Sequence, residues 1–276
     1  MKIIGIDFTS NPSRSKRITC LHCEFINSIL TEKKLDEWSS FTEFESFLCS
    51  PEKWVAGIDF PFGMSRKFIE NIGWPSNWKT YVSLVGSMKR KDFRTVLDKY
   101  KAPRPYGDKE HKRKTDKAAK SLSPQKQYVT PVGLMFFEGA PRLLKSGVTL
   151  PGILSGDPNR IVVEAYPGIL AKRIIGKRPY KHENPKEQSK GRTKNRRDLM
   201  VKILDGYCFN DYGFSVEASM DLCDDPTGDQ LDALLCAIQA AWAWRNRKEN
   251  FGTPLNTDSL EGWIADPVSC AEMSKD

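Results

Sequence analysis

Histidine is scarce in this 276-residue sequence: only His22, His111 and His182 occur. They fall in a strand-like segment or in charged loops with no evident partner, which leaves little room for serine–histidine–aspartate catalysis. No apolar run approaches the roughly 20 residues that span a bilayer, and the amino terminus lacks the charged-then-apolar pattern of a signal peptide. A cytoplasmic protein with no membrane partner is therefore expected. The seven cysteines (20, 23, 49, 208, 223, 236 and 270) are odd in number and scattered, as suits reduced thiols. Cys20-Leu-His-Cys23 has the spacing of a zinc or redox pair, but no second pair accompanies it. Its segment reads as a strand, in which positions i and i+3 face opposite ways.

Charge is present in plenty but unevenly placed. The net charge is +8. Residues 88–126 carry 14 Lys/Arg against 5 Asp/Glu, and residues 172–197 carry 11 against 2, so each block alone exceeds the total and the remainder is acidic. An acidic framework bearing two basic blocks suits a polyanionic partner, nucleic acid or another phosphoester.

Apolar patterning predicts strands over 2–7 (KIIGID), 17–25 (RITCLHCEF), 26–35, 54–60 (WVAGIDF) and 160–168 (RIVVEAYPG, stopped by Pro167). Ser40 and Glu43 have capping-box spacing ahead of an apolar stripe of Phe41, Phe44, Phe47 and Leu48, so a short helix is expected there. Residues 65–160 mix short helical segments with proline-rich loops and much of the basic charge. The clearest helix is DQLDALLCAIQAAWAWRN from Asp229. It is apolar nearly all round, and Thr227 and Gln230 have capping-box spacing at its start.

Three strands, a helix, a strand, a long insertion, a strand and a final helix is the order of the ribonuclease-H-like fold. The expected architecture is thus a single α/β domain over 1–276. It has a mixed five-stranded sheet in the order 3-2-1-4-5, flanking helices, and a basic insertion over 65–160 between strands 4 and 5. The tetrapeptide Gly-Ile-Asp-Phe occurs twice, at 5–8 and 57–60, and this fold sets the first and fourth strands side by side. Asp7 and Asp59 would then meet, at a cost in repulsion and desolvation that a cation would relieve. An all-oxygen site of this kind suits Mg²⁺ or Mn²⁺. Asp229 and Asp232, spaced i and i+3, share one helix face. Asp232 lies within an apolar stretch, where a carboxylate without a partner is expensive.

Gly-Ile-Asp on the first strand with Asp229-x-x-Asp232-Ala-Leu on the last helix resembles the active-site pattern of Holliday-junction resolvases. The combination GIDF (5–8), GIDFPFG (57–63), RKTD (113–116), EAYPG (164–168) and DQLDALLCA (229–237) is similar to the family called domain of unknown function 429, predicted nucleases of the ribonuclease-H-like superfamily. The resemblance implies a Mg²⁺- or Mn²⁺-dependent nuclease that hydrolyses phosphodiesters with two metal ions. Asp7, Asp59 and Asp232 would be metal ligands, Asp229 a fourth, and Glu164 a further catalytic residue. Glu43 and Glu45, candidates by analogy with ribonucleases H, lie off the aromatic stripe and read as surface glutamates. Arg113, Lys114 and Asp116 in the first basic block, and Arg192, Lys194, Arg196 and Arg197 in the second, are the candidate nucleic-acid contacts, since guanidinium forks match phosphate oxygens. Trp74, Trp78, Tyr81 and Tyr106 are candidate base-stacking or core residues. Two rival readings are compatible with the sequence. One is an actin-like or sugar-kinase-like phosphotransferase, disfavoured because no glycine lies between Asp7 and Arg17 for a phosphate-binding turn. The other is an inert nucleic-acid-binding module.

Overall fold

The computed structural model describes residues 1–182 and 189–275. Strands β1 (Lys2–Asp7), β2 (Ile18–Ile26), β3 (Ile29–Trp38), β4 (Trp54–Ile58), β5 (Val148–Thr149), β6 (Asp157–Glu164) and β7 (Ser215–Glu217) form one mixed sheet in the order β5-β6-β4-β1-β2-β3-β7. β1 runs antiparallel to β2 and parallel to β4, β2 antiparallel to β3, and β4 parallel to β6. The α/β class is as expected, but the sheet has seven strands among the described residues rather than five. The additional ones, β5 and β7, are edge strands of two and three residues that pair in parallel with β6 and β3. Such segments are too short to carry a period-2 pattern.

Other differences are local. β3 begins three residues later than expected, because Asn27 and Ser28 take positive φ in the hairpin turn. Pro167 does more than stop β6: it opens the helix Pro167–Ile175, where its missing N–H is no loss. Between β4 and β6 lie the helices Arg66–Ile72, Trp78–Gly86, Arg90–Lys101, Lys114–Ala119 and Val132–Ser146. Cys20 and Cys23 join different cores on opposite faces of the sheet, as strand alternation requires.

The pleat also explains the repeated Gly-Ile-Asp. Gly5 and Gly57 are register partners on β1 and β4. Both face the long helix Asp229–Arg245, which crosses these strands. A Cβ at Gly5 would lie 1.8 Å from the Ala233 carbonyl oxygen, and one at Gly57 would lie 2.4 Å from that of Cys236. Only glycine lets the helix backbone rest directly on the strands. Two residues on, and so on the same face, come Asp7 and Asp59. They emerge just beyond the point where the helix covers the sheet, beside its amino-terminal turn. Ile4, Ile6, Ala56 and Ile58 point the other way, into the core formed with the inserted helices.

Candidate functional site

The ladder between β1 and β4 continues to the carboxylates, where the Asp59 N–H donates to the Ile6 carbonyl at 3.0 Å. Asp7, Asp59, Asp229 and Asp232 line one cavity of about 410 Å³, together with Lys181 and Tyr166. The residues expected to converge, Asp7, Asp59, Glu164 and Asp232, are up to 225 positions apart in sequence, and all four line this cavity together with Asp229. The helix start differs from expectation. Gly228, with φ of +79°, is the N-cap, and the Asp225 carboxylate accepts from the N–H groups of Thr227 (2.9 Å) and Gln230 (3.1 Å). The Thr227–Gln230 capping box is not formed.

The site holds more negative charge than burial tolerates. Burial, and then Asp229, pushes the Asp7 carboxyl well above the usual carboxylate range; Lys181 opposes this, while Asp232 and Asp59 add to it. Burial likewise raises Asp59 to about 7, against the pull of Lys181, and it raises Asp229. Asp232 is buried and accepts from the Tyr180 hydroxyl at 2.6 Å and from the Lys181 ammonium. Burial alone would lower the Lys181 pKa, but Asp232, Asp7 and Asp229 raise it well above an ordinary lysine. Lys181 was not a candidate from the sequence. It sits in Arg-Pro-Tyr-Lys within a long basic block, where nothing distinguishes it from its neighbours.

Glu164 leaves β6 on the face opposite to Asp59, since it pairs in register with Ile58. There it meets Arg113 in a buried fork, with Nη1–Oε2 2.7 Å and Nη2–Oε1 2.5 Å, and it also accepts from the Phe62 N–H at 2.8 Å. Arg113 holds Asp116 as well, through Nη2–Oδ1 at 2.8 Å and Nε–Oδ2 at 3.0 Å. Asp116 and Arg113 are 1% exposed. The expectation that they contact nucleic acid is therefore corrected: they form a buried network that braces one wall of the cavity. Glu164 has both oxygens committed to that network rather than offered to a metal.

Arg196 is also buried. It donates to the carbonyls of Cys223 (2.8 Å), Tyr180 (2.9 Å) and Pro226 (3.4 Å). It is a clamp that brings the 180–181 segment to the start of the long helix, and not a phosphate contact. Lys194 and Arg197 are exposed, the latter beside Asp224 at 3.1 Å, while Lys114 and Arg192 are half-buried. None of these four lines the acidic cavity. Residues 183–188 of the second basic block lie outside the described residues. Of the aromatic candidates, Trp78 and Tyr81 are core, Trp74 is half-buried against Phe68, and Tyr106 is fully exposed. Glu43 is exposed at its helix start, and Glu45 pairs with Arg142 at 2.9 Å, both away from the cavity.

For a divalent cation the donor chemistry fits: Asp7, Asp59, Asp229 and Asp232 offer hard oxygens whose charge one ammonium only partly offsets. Among the described residues, however, no three Asp, Glu, His or Cys side chains already close on a metal position. Asp232 is instead turned to Lys181 and Tyr180. Among the described residues no helix is long and apolar enough to cross a membrane. No family model matches the chain, and no curated protein or solved structure does.

Proposed function

We propose that this chain is a metal-dependent phosphodiester hydrolase of ribonuclease-H-like architecture, related to the family called domain of unknown function 429. The observation that carries this reading is the gathering of four aspartates in one cavity, with Asp7, Asp59 and Asp229 held above the normal carboxylate range. A purely structural cluster would be selected against at this cost, whereas a cation site requires it. The central strand order β3-β2-β1-β4-β6, with β1 and β4 parallel, supports the architecture.

Asp7, Asp59, Asp229 and Asp232 would hold Mg²⁺ or Mn²⁺, and the bound cation supplies a water acidic enough to attack phosphorus, together with stabilisation of the leaving oxygen. The chain itself provides the rest. The glycine-seated helix fixes Asp229 and Asp232 against Asp7 and Asp59. The Arg113–Glu164–Asp116 network keeps the adjoining wall rigid without drawing on the four aspartates. Lys16 and Lys181 place positive charge on the cavity lining for a phosphate. Exposed lysines on the insertion, with Lys194 and Arg197, would guide a polyanion from further away.

The test is cleavage of a mixed panel of DNA and RNA substrates with Mg²⁺ or Mn²⁺. Wild type should cut and Asp7→Asn should not, while the variant still folds. A wild type inert on every substrate with both metals, or an Asp7→Asn variant that cuts as well as wild type, would overturn the reading.

A further inference from the structure

Lys181 is held in place and is not a surface lysine that has wandered into a cavity. Its backbone neighbourhood is fixed from three sides. Arg196 grips the Tyr180 carbonyl at 2.9 Å, and Asn195 donates to the Pro179 carbonyl at 2.8 Å. Gly228 lies so close that a Cβ there would be 2.9 Å from the Lys181 Cβ. The ammonium then reaches Asp232, with Asp7, Asp59 and Asp229 around it. The stem keeps 35% of its side-chain surface exposed, whereas Asp232 keeps 1%. A cation on a partly exposed stem thus neutralises the same carboxylates that would ligate a metal, and among the described residues no three Asp, Glu, His or Cys side chains already close on a metal position.

We propose that the Lys181 ammonium and a divalent cation are alternative occupants of the acidic floor: in the metal-free protein Lys181 is the counter-ion, and metal entry displaces it outward from Asp232. The inference rests on the metal-site reading above and adds the element that sets the site's metal affinity. Electrostatics gives the direction. Two cations cannot share these oxygens without repelling, so the lysine taxes every metal bound, and in return it keeps the empty site from repelling itself apart.

The experiment uses the full-length chain as wild type, Lys181→Met and Lys181→Arg. Mn²⁺ and Mg²⁺ binding are measured by calorimetry, and thermal melts are recorded in EDTA and in millimolar Mg²⁺. Lys181→Met should bind Mn²⁺ about tenfold or more tightly than wild type, since a unit charge a few ångströms away is removed. It should melt below wild type in EDTA, with the gap closing or reversing in Mg²⁺. Lys181→Arg, which keeps the charge, should resemble wild type in EDTA and guards against reading a simple folding defect as support. Equal or weaker metal binding by Lys181→Met, or a melting gap that Mg²⁺ leaves unchanged, would show that the lysine is not a competitor and would overturn the proposal. If wild type and Lys181→Met both fail to bind either metal, the metal site itself is wrong and this inference falls with it. That outcome is distinct from binding that occurs but ignores Lys181.

Discussion

Replacing Asp59 by asparagine should stabilise the metal-free protein, and the gain should grow with pH. The residue's folded pKa is raised from the ordinary 3.8 to about 7, chiefly by burial. A raised folded pKa means that the native state holds a proton the unfolded state has lost. The associated stability is fully present below about pH 4, declines as pH rises, and is gone above about pH 7. Ionising Asp59 in the folded state at about pH 8 therefore costs up to about 4 kcal/mol relative to the unfolded chain, at about 1.4 kcal/mol per pH unit between the two pKa values. The side chain is half-buried, so solvent screening reduces this, and about 2 kcal/mol is the working figure. In a chain of this size that corresponds to a melting point higher by about 4 °C or somewhat more. At about pH 5 the native carboxyl is still protonated, and asparagine, which is nearly its isostere, should gain less than about 1 kcal/mol. Urea titrations of wild type and Asp59→Asn in EDTA at the two pH values measure both gains. A variant less stable than wild type at pH 8, or one with equal gains at pH 5 and pH 8, would refute the argument that buried charge at this site is a burden on the fold.

Gly57→Ala should lose several kcal/mol or fail to fold, because its Cβ would meet the Cys236 carbonyl at 2.4 Å and push the long helix off the sheet; circular dichroism and urea melts report this. Arg113→Met should cost about 3–5 kcal/mol by leaving Glu164 and Asp116 buried without a cation, whereas Arg197→Met, on the exposed side of the Lys190–Lys202 helix, should change stability by less than about 1 kcal/mol. Reversing the exposed charges of Lys194 and Arg197 to glutamate should weaken nucleic-acid binding and flatten its salt dependence, measured by fluorescence anisotropy across a salt series. Arg196→Met should lower stability by about 1–3 kcal/mol through lost hydrogen bonds to three carbonyls, the Cys223 one buried, with weaker metal response because the 180–181 segment loosens.

Local sequence determined much of this protein. Apolar runs closed by Gly-Ile-Asp specify β1 and β4 because a strand buried on both faces must read as near-continuous hydrophobic residues. The Asp229–Arg245 helix is legible because its apolar residues surround its whole circumference. The gathering of Asp7, Asp59, Asp229 and Asp232 follows from those elements once β1 and β4 are adjacent, so the carboxylate set could be named from one chain of letters. Tertiary structure alone decided which charges serve the cavity. Arg113 and Arg196 look like their basic neighbours in sequence, yet one is buried against Glu164 and Asp116 and the other against three carbonyls. A guanidinium is driven inward or left in water by partners such as Glu164 and Cys223, which lie tens of residues away. Lys181 is the same case in reverse, an ordinary lysine until folding carries it, by the Arg196 clamp and the bare Cα of Gly228, to the carboxylates of residues 7, 59, 229 and 232. Periodicity and spacing report on a residue's neighbours along the chain, whereas the energy of a charge depends on its neighbours in space.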